Sequence, residues 1–115
     1  MLPAGLLNPL LVPARRFGSW SLDFIVDLPL SSGCNAILTV VDRLTKLVKL
    51  IPCFMGGQVL SAGETAQLVF YHIVCSYGMP DTIVHDRDPR FTSELWRGLW
   101  SLVGTRVLMS TAHHP

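Results

Sequence analysis

From Ser19 to Leu28 the even-numbered side chains, Trp20, Leu22, Phe24, Val26 and Leu28, are all apolar. The odd positions are polar (Ser19, Ser21, Asp23, Asp27) except for Ile25. Successive side chains of a strand point to opposite faces, so this alternation predicts a half-buried β-strand. A strand needs neighbours for its backbone groups, and the following residues supply them. Pro29-Leu-Ser-Ser-Gly33 is a turn, and Ala36-Ile-Leu-Thr-Val-Val-Asp42 is a second strand, apolar on both faces and therefore central. Arg43-Leu-Thr-Lys46 makes a polar turn into a third strand, Leu47 to Ile51, ended by Pro52. Strands joined this tightly form an antiparallel meander.

The next segment changes period. Ser61-Ala-Gly-Glu64 has the spacing of a capping box, and Ala66, Val69, Phe70, Ile73, Val74 and Tyr77 follow at helical intervals. Gly78 and Pro80 stop that helix. Thr82 to His85 is a fourth strand, reached through a helix and hence parallel to its neighbour. A second helix is expected from Ser93 to Val103, with Leu95, Trp96, Leu99, Trp100 and Val103 inward and Gly104 at its end. Arg106 to Met109 then reads as a fifth strand. The expectation is an α/β fold of order β-β-β-α-β-α-β, a five-stranded mixed sheet with helices. Residues 1–18, punctuated by Pro3, Pro9 and Pro13, read as an extended lead-in, and residues 19–115 as the domain.

At 115 residues, half of them hydrophobic, the chain is long enough for one small core. A net charge of +1 leaves no basic surface that would by itself announce nucleic-acid binding. No apolar run is long enough to span a bilayer, and no targeting signal stands out. Cys34, Cys53 and Cys75 lack any Cys-x-x-Cys spacing and read as buried reduced thiols of an intracellular protein. His72, His85, His113 and His114 do not combine at metal-ligand spacing.

The chemistry therefore concentrates at Ile83-Val-His-Asp-Arg-Asp-Pro-Arg-Phe-Thr-Ser93, where a strand end delivers Asp86 just before a helix. If the fourth strand lies beside the first, Asp86 and Asp23 become neighbours. Two carboxylates on adjacent strands suit a hard divalent cation. The bland alternatives are a solvent-face Asp23, a solvated turn at Asp86, and turn or surface roles for Asp27 and Asp42. For His85 the readings are a residue that orients a substrate phosphate and, more ordinarily, a packing or surface residue. Arg87, Arg90, Lys46 and Lys49 are scattered cations, and the Trp96/Trp100 pair reads as core.

Four segments taken together carry a resemblance: Trp20-Ser-Leu-Asp-Phe-Ile25, Ala36-Ile-Leu-Thr-Val-Val-Asp-Arg-Leu-Thr-Lys46, Ile83 to Ser93, and Ser110-Thr-Ala-His-His-Pro115. In this order they resemble the integrase catalytic core of gypsy-type long-terminal-repeat retrotransposons, which is related to retroviral integrases. The resemblance implies a ribonuclease H-like fold, Mg²⁺ or Mn²⁺ as cofactor, DNA (element ends and target) as partner, a homodimer among the allowed assemblies, and a nuclear location. Asp23 matches the family's first catalytic and metal-binding aspartate, and Asp86 the second. The third ligand of the family is a glutamate on a helix beyond the His-Pro motif, at which this sequence ends; Glu64 and Glu94 do not match it. His85 stands where the family more often has a small hydroxyl residue, and Asp27 where it often has glycine. The expectation is a truncated core lacking its C-terminal helix, weak in metal binding, inactive as it stands, and exposing an apolar patch. The rival expectations are a residual enzyme, a non-catalytic DNA- or protein-interaction module, and a fragment of a decayed element without function.

Overall fold

A computed structural model describes residues 13–112. The lead-in up to residue 12 and the His113-His114 pair lie outside the described residues. The meander forms as expected, with β1 (Ser19–Ile25), β2 (Ala36–Asp42) and β3 (Val48–Cys53) paired antiparallel in sequence order. β4 (Thr82–Val84) joins the other side of β1 in parallel, giving a four-stranded mixed sheet of order β3-β2-β1-β4. Pro52, expected to end the third strand, lies inside it. As an edge strand, β3 tolerates a residue without an N–H.

Helix α1 (Ala62–Val69) starts on the predicted capping box: Ser61 Oγ accepts from the Glu64 N–H at 3.1 Å, and the Ser61 N–H donates to Glu64 Oε1 at 3.0 Å. It continues through a π-helical turn (Phe70–Val74), which the periodicity did not announce, into the short α2 (Cys75–Tyr77). Gly78 ends the run at φ 89°, in the left-handed region that favours glycine.

The fifth strand does not form. Arg106 to Met109 belongs to α3 (Pro89–Ala112), so the sheet has four strands, not five. A short apolar run fits either period. Here leucine, arginine and methionine are good helix formers, and the helix satisfies backbone groups that a lone edge strand would leave open. Nothing lies within 4 Å of where a Cβ on Gly104 would stand, and the helix runs through it. The same helix starts earlier than Ser93. Asp88 caps it, its Oδ1 accepting from the Phe91 N–H at 2.8 Å, and Pro89 occupies the first turn, where its missing N–H costs nothing.

One face of the sheet carries the core. Trp20, Leu22, Leu38, Val40 and Ile51 pack against Ala62, Ala66, Val69, Phe70 and Ile73 and, from α3, Phe91, Leu95 and Leu99. Trp100, expected inside, is 57% exposed. Of the cysteines only Cys53 is buried; Cys34 is half-buried and Cys75 exposed. The opposite face bears Ile25, Val48 and Leu50, all exposed, with no helix over it among the described residues. Residues 14–18 are bent rather than extended, and Phe17 stacks on Trp20 with ring centroids 5.9 Å apart. The fold's own contacts therefore begin before Ser19, with Arg15 paired to Asp81 at 2.9 Å.

Candidate functional site

The β1–β4 register decides where the two candidate aspartates stand. Ser19 pairs with Thr82, Trp20 with Ile83 and Ser21 with Val84. Continued by two residues past the last pair, that register sets Asp86 level with Asp23. Both are exposed, Asp23 within β1 and Asp86 in the bend two residues past the end of β4. Asp23 shares the parity of Ser21 and faces away from Trp20 and Leu22, so it lies on the sheet face that no helix covers. Its Oδ1 accepts from the Phe24 N–H at 2.9 Å, and its partner across β2 is Thr39.

The turn that carries Asp86 is held from both sides. The Arg87 N–H donates to His85 Nδ1 at 3.0 Å, which makes Nδ1 the acceptor and leaves the proton on Nε2, 2.8 Å from Thr92 Oγ1. The Arg87 guanidinium sits over the Phe91 ring at 4.0 Å and donates to the Leu60 carbonyl at 2.9 Å. Neither residue is thus a loose cation waiting for phosphate. His85 fastens the turn to the first turns of α3, and Arg87 ties it to the loop before α1.

Burial pushes His85 below its usual pKa of 6.5. Asp86 and Asp88 oppose that shift, while Arg87 reinforces it. The neutral imidazole is the form the Arg87 N–H requires. As pH falls below about 6.5, the unfolded chain takes up a proton that folded His85 resists, so the contribution is complete above that pH and is lost as pH falls toward the depressed folded value. Thermal unfolding midpoints should therefore drop through this window, and His85→Gln should flatten the drop. An identical slope in the variant would contradict this role.

The other candidates separate by burial. Asp42, expected in a turn or at the surface, is fully buried at 0% exposure. Asp27 is exposed at φ 58°, a left-handed conformation that glycine adopts at less cost. Lys49 lies over the Tyr77 ring at 5.5 Å. Glu64 serves the α1 cap, and Glu94 is exposed on α3. Among the described residues no three His, Cys, Asp or Glu side chains group to hold a metal ion. No described helix is long and apolar enough to cross a membrane.

Sequence comparison adds an independent relation. The chain is 39% identical over 95 residues to the Transposon Tf2-3 polyprotein of Schizosaccharomyces pombe, and equally to the Transposon Tf2-4 and Tf2-5 polyproteins of that yeast. The chain is homologous to a segment of retrotransposon polyproteins. The matched part covers 83% of this chain but 7% of each polyprotein. No protein-family model matches the chain. The matched segment supports a retrotransposon-derived protein.

Proposed function

We propose that this chain is a partial integrase catalytic core of the gypsy-type retrotransposon kind, ribonuclease H-like in fold, with Asp23 and Asp86 as its metal-binding carboxylates. The observation that supports the reading is the parallel β1–β4 register, whose last pair, Ser21 with Val84, lies two residues before each of these acids. The relation to transposon polyproteins supports it, as does the sheet order β3-β2-β1-β4.

Two exposed carboxylates fit Mg²⁺ or Mn²⁺, hard cations that commonly take one or two protein acids and fill the remaining positions with water and substrate phosphate. When bound, such an ion supplies charge that activates an attacking hydroxyl and steadies a leaving oxygen in phosphodiester transfer. This chain's own contribution is placement. β1 fixes Asp23, while the His85–Thr92 and Arg87–Leu60 contacts hold the turn that presents Asp86. The partner is DNA, element ends and target, and the site of action is the nucleus. The resembled chemistry takes three carboxylates, and Asp23 and Asp86 are two, so the described residues by themselves should hold metal weakly and give no strand transfer.

Mn²⁺ line broadening in NMR spectra should centre on Asp23 and Asp86 and vanish in Asp23→Asn or Asp86→Asn. On a labelled DNA end the chain should give no Mg²⁺-dependent strand transfer. Turnover that Asp86→Asn abolishes would overturn the assignment of inactivity. DNA binding that weakens steeply with salt, without turnover, would favour a non-catalytic binding module. Paramagnetic broadening spread over the surface and indifferent to both variants would remove the metal site.

A further inference from the structure

Thr39 is the one described residue with a buried side-chain polar atom, Oγ1, that lacks a hydrogen-bond partner. Buried hydroxyls are rarely left so, because water or a protein acceptor ordinarily compensates the loss of solvent. Its position gives the orphan a meaning. Thr39 is the direct cross-strand partner of Asp23 in the antiparallel β1–β2 pair. Side chains of such pairs stand on the same face, with Cβ atoms roughly 4.5–5.5 Å apart. The other neighbour in that row, Leu50 on β3, offers no acceptor from its side chain. Above and below in β2 stand Ile37 and Val41, which offer none either. Asp23 is therefore the acidic side chain within the pairing of this hydroxyl, and one of its oxygens, Oδ1, is already engaged by the Phe24 N–H.

We infer that Thr39 is a positioning residue for Asp23: its hydroxyl donates to the Asp23 carboxylate when that group turns to take a divalent cation. The role rests on the metal-site reading above. A hydroxyl can rotate to suit its acceptor, and a donor on one carboxylate oxygen fixes the plane in which the other meets the ion. Until the carboxylate turns, the hydroxyl stays dry and unpaired on its strand. A threonine retained only for β-propensity would work as well with valine, which matches its shape without the hydroxyl.

That equivalence gives the test, with Mn²⁺ alone as the probe and paramagnetic broadening of the full chain as the readout. Thr39→Val should weaken Asp23-dependent Mn²⁺ binding by roughly 10-fold, in the range seen when a group supporting a metal ligand is removed. Thr39→Ser, which keeps the hydroxyl, should bind as the unsubstituted chain does. In an Asp23→Asn background, Thr39→Val should change nothing. Unchanged affinity in Thr39→Val, with Asp23-dependent binding present in the parent chain, would overturn the positioning role and leave the metal site standing. Equal losses in Thr39→Val and Thr39→Ser would likewise overturn it, marking a packing effect. A parent chain showing no Asp23-dependent binding would overturn both the site and this role.

Discussion

Asp42→Ala is expected to cost the fold about 3 kcal/mol, a lowering of the thermal midpoint by roughly 10 °C. Asp42 closes β2, and its carboxylate organises three donors from two separate segments. Oδ1 accepts from the Phe17 N–H at 3.1 Å; Oδ2 accepts from the Thr45 N–H at 3.1 Å and from Thr45 Oγ1 at 2.6 Å. Its backbone closes the β2–β3 hairpin as well, donating to Leu47 O and accepting from the Lys46 N–H, both at 2.8 Å. Bonds to an ionised acceptor are worth about 1.5–3 kcal/mol each. The total is held near the value of one or two because Thr45 is exposed and its donors can return to water. The Phe17 N–H has less recourse, since Phe17 stacks between Trp20 and Tyr77.

Burial would raise the Asp42 pKa, but the hydrogen bonds from Thr45 and Phe17 outweigh it and hold the carboxyl below its ordinary 3.8. The stabilisation is therefore complete above about pH 3.8 and is lost as pH falls through the folded value. Denaturant titrations at neutral pH should show the full difference between Asp42→Ala and the parent chain, and the difference should shrink in strong acid. Asp42→Asn, which keeps an acceptor without the charge, should cost about half as much. Equal stability of parent and Asp42→Ala at neutral pH would contradict the role.

Gly98→Val should be comparably damaging, at about 3 kcal/mol. Taken from the sequence, glycine inside a helix is a defect of roughly 1 kcal/mol against alanine, and replacing it should help. The tertiary contact reverses that sign. A Cβ on Gly98 would stand 2.8 Å from the Ala66 Cβ, closer than side-chain carbons approach one another. Neither atom is the far end of a flexible chain, so relief requires α1 and α3 to move apart, and both helices carry the core that covers the sheet. Gly98→Ala should lose about 1 kcal/mol net, overpacking slightly exceeding the gain in helix propensity. Adding Ala66→Gly should recover part of that loss, a coupling expected only for residues in contact. Chemical denaturation of the two single variants and the double variant measures it. A rise in stability for Gly98→Ala alone would show that the helices do not meet there.

Homology to transposon polyproteins supports a retrotransposon-derived protein. The meander, the capping box and the Gly78 stop were legible because each depends on neighbours in sequence: alternation over a strand, a serine three residues before a glutamate, a glycine at a left-handed end. Asp88-Pro89 is an equally legible helix start, but Ser93 offers a second, later cap, and local sequence does not choose between them. Arg106 to Met109 was not legible, since four residues of mixed apolar character fit both periods, and helix or strand is settled by what lies alongside. Asp42 and Trp100 depart from their sequence expectation for the related reason that burial belongs to the packed molecule. Asp42 lies inside because Phe17 folds back over it, and Trp100 stays outside because α3 turns Leu95 and Leu99 toward the sheet.

The same division holds for the candidate site. Sequence by itself determined that Asp23 sits within a strand and Asp86 at the end of another, since hydrophobic period and turn chemistry are local. Their alignment depended on which edge of the meander β4 joins and in what register, and only the tertiary structure decided that. It chose the β1 edge because Ile83 pairs beside Trp20 above the α1–α3 layer, where both contribute apolar surface to one core. That choice put Val84, two residues before Asp86, opposite Ser21, two residues before Asp23, and the β1–β2 register placed a threonine hydroxyl beside Asp23.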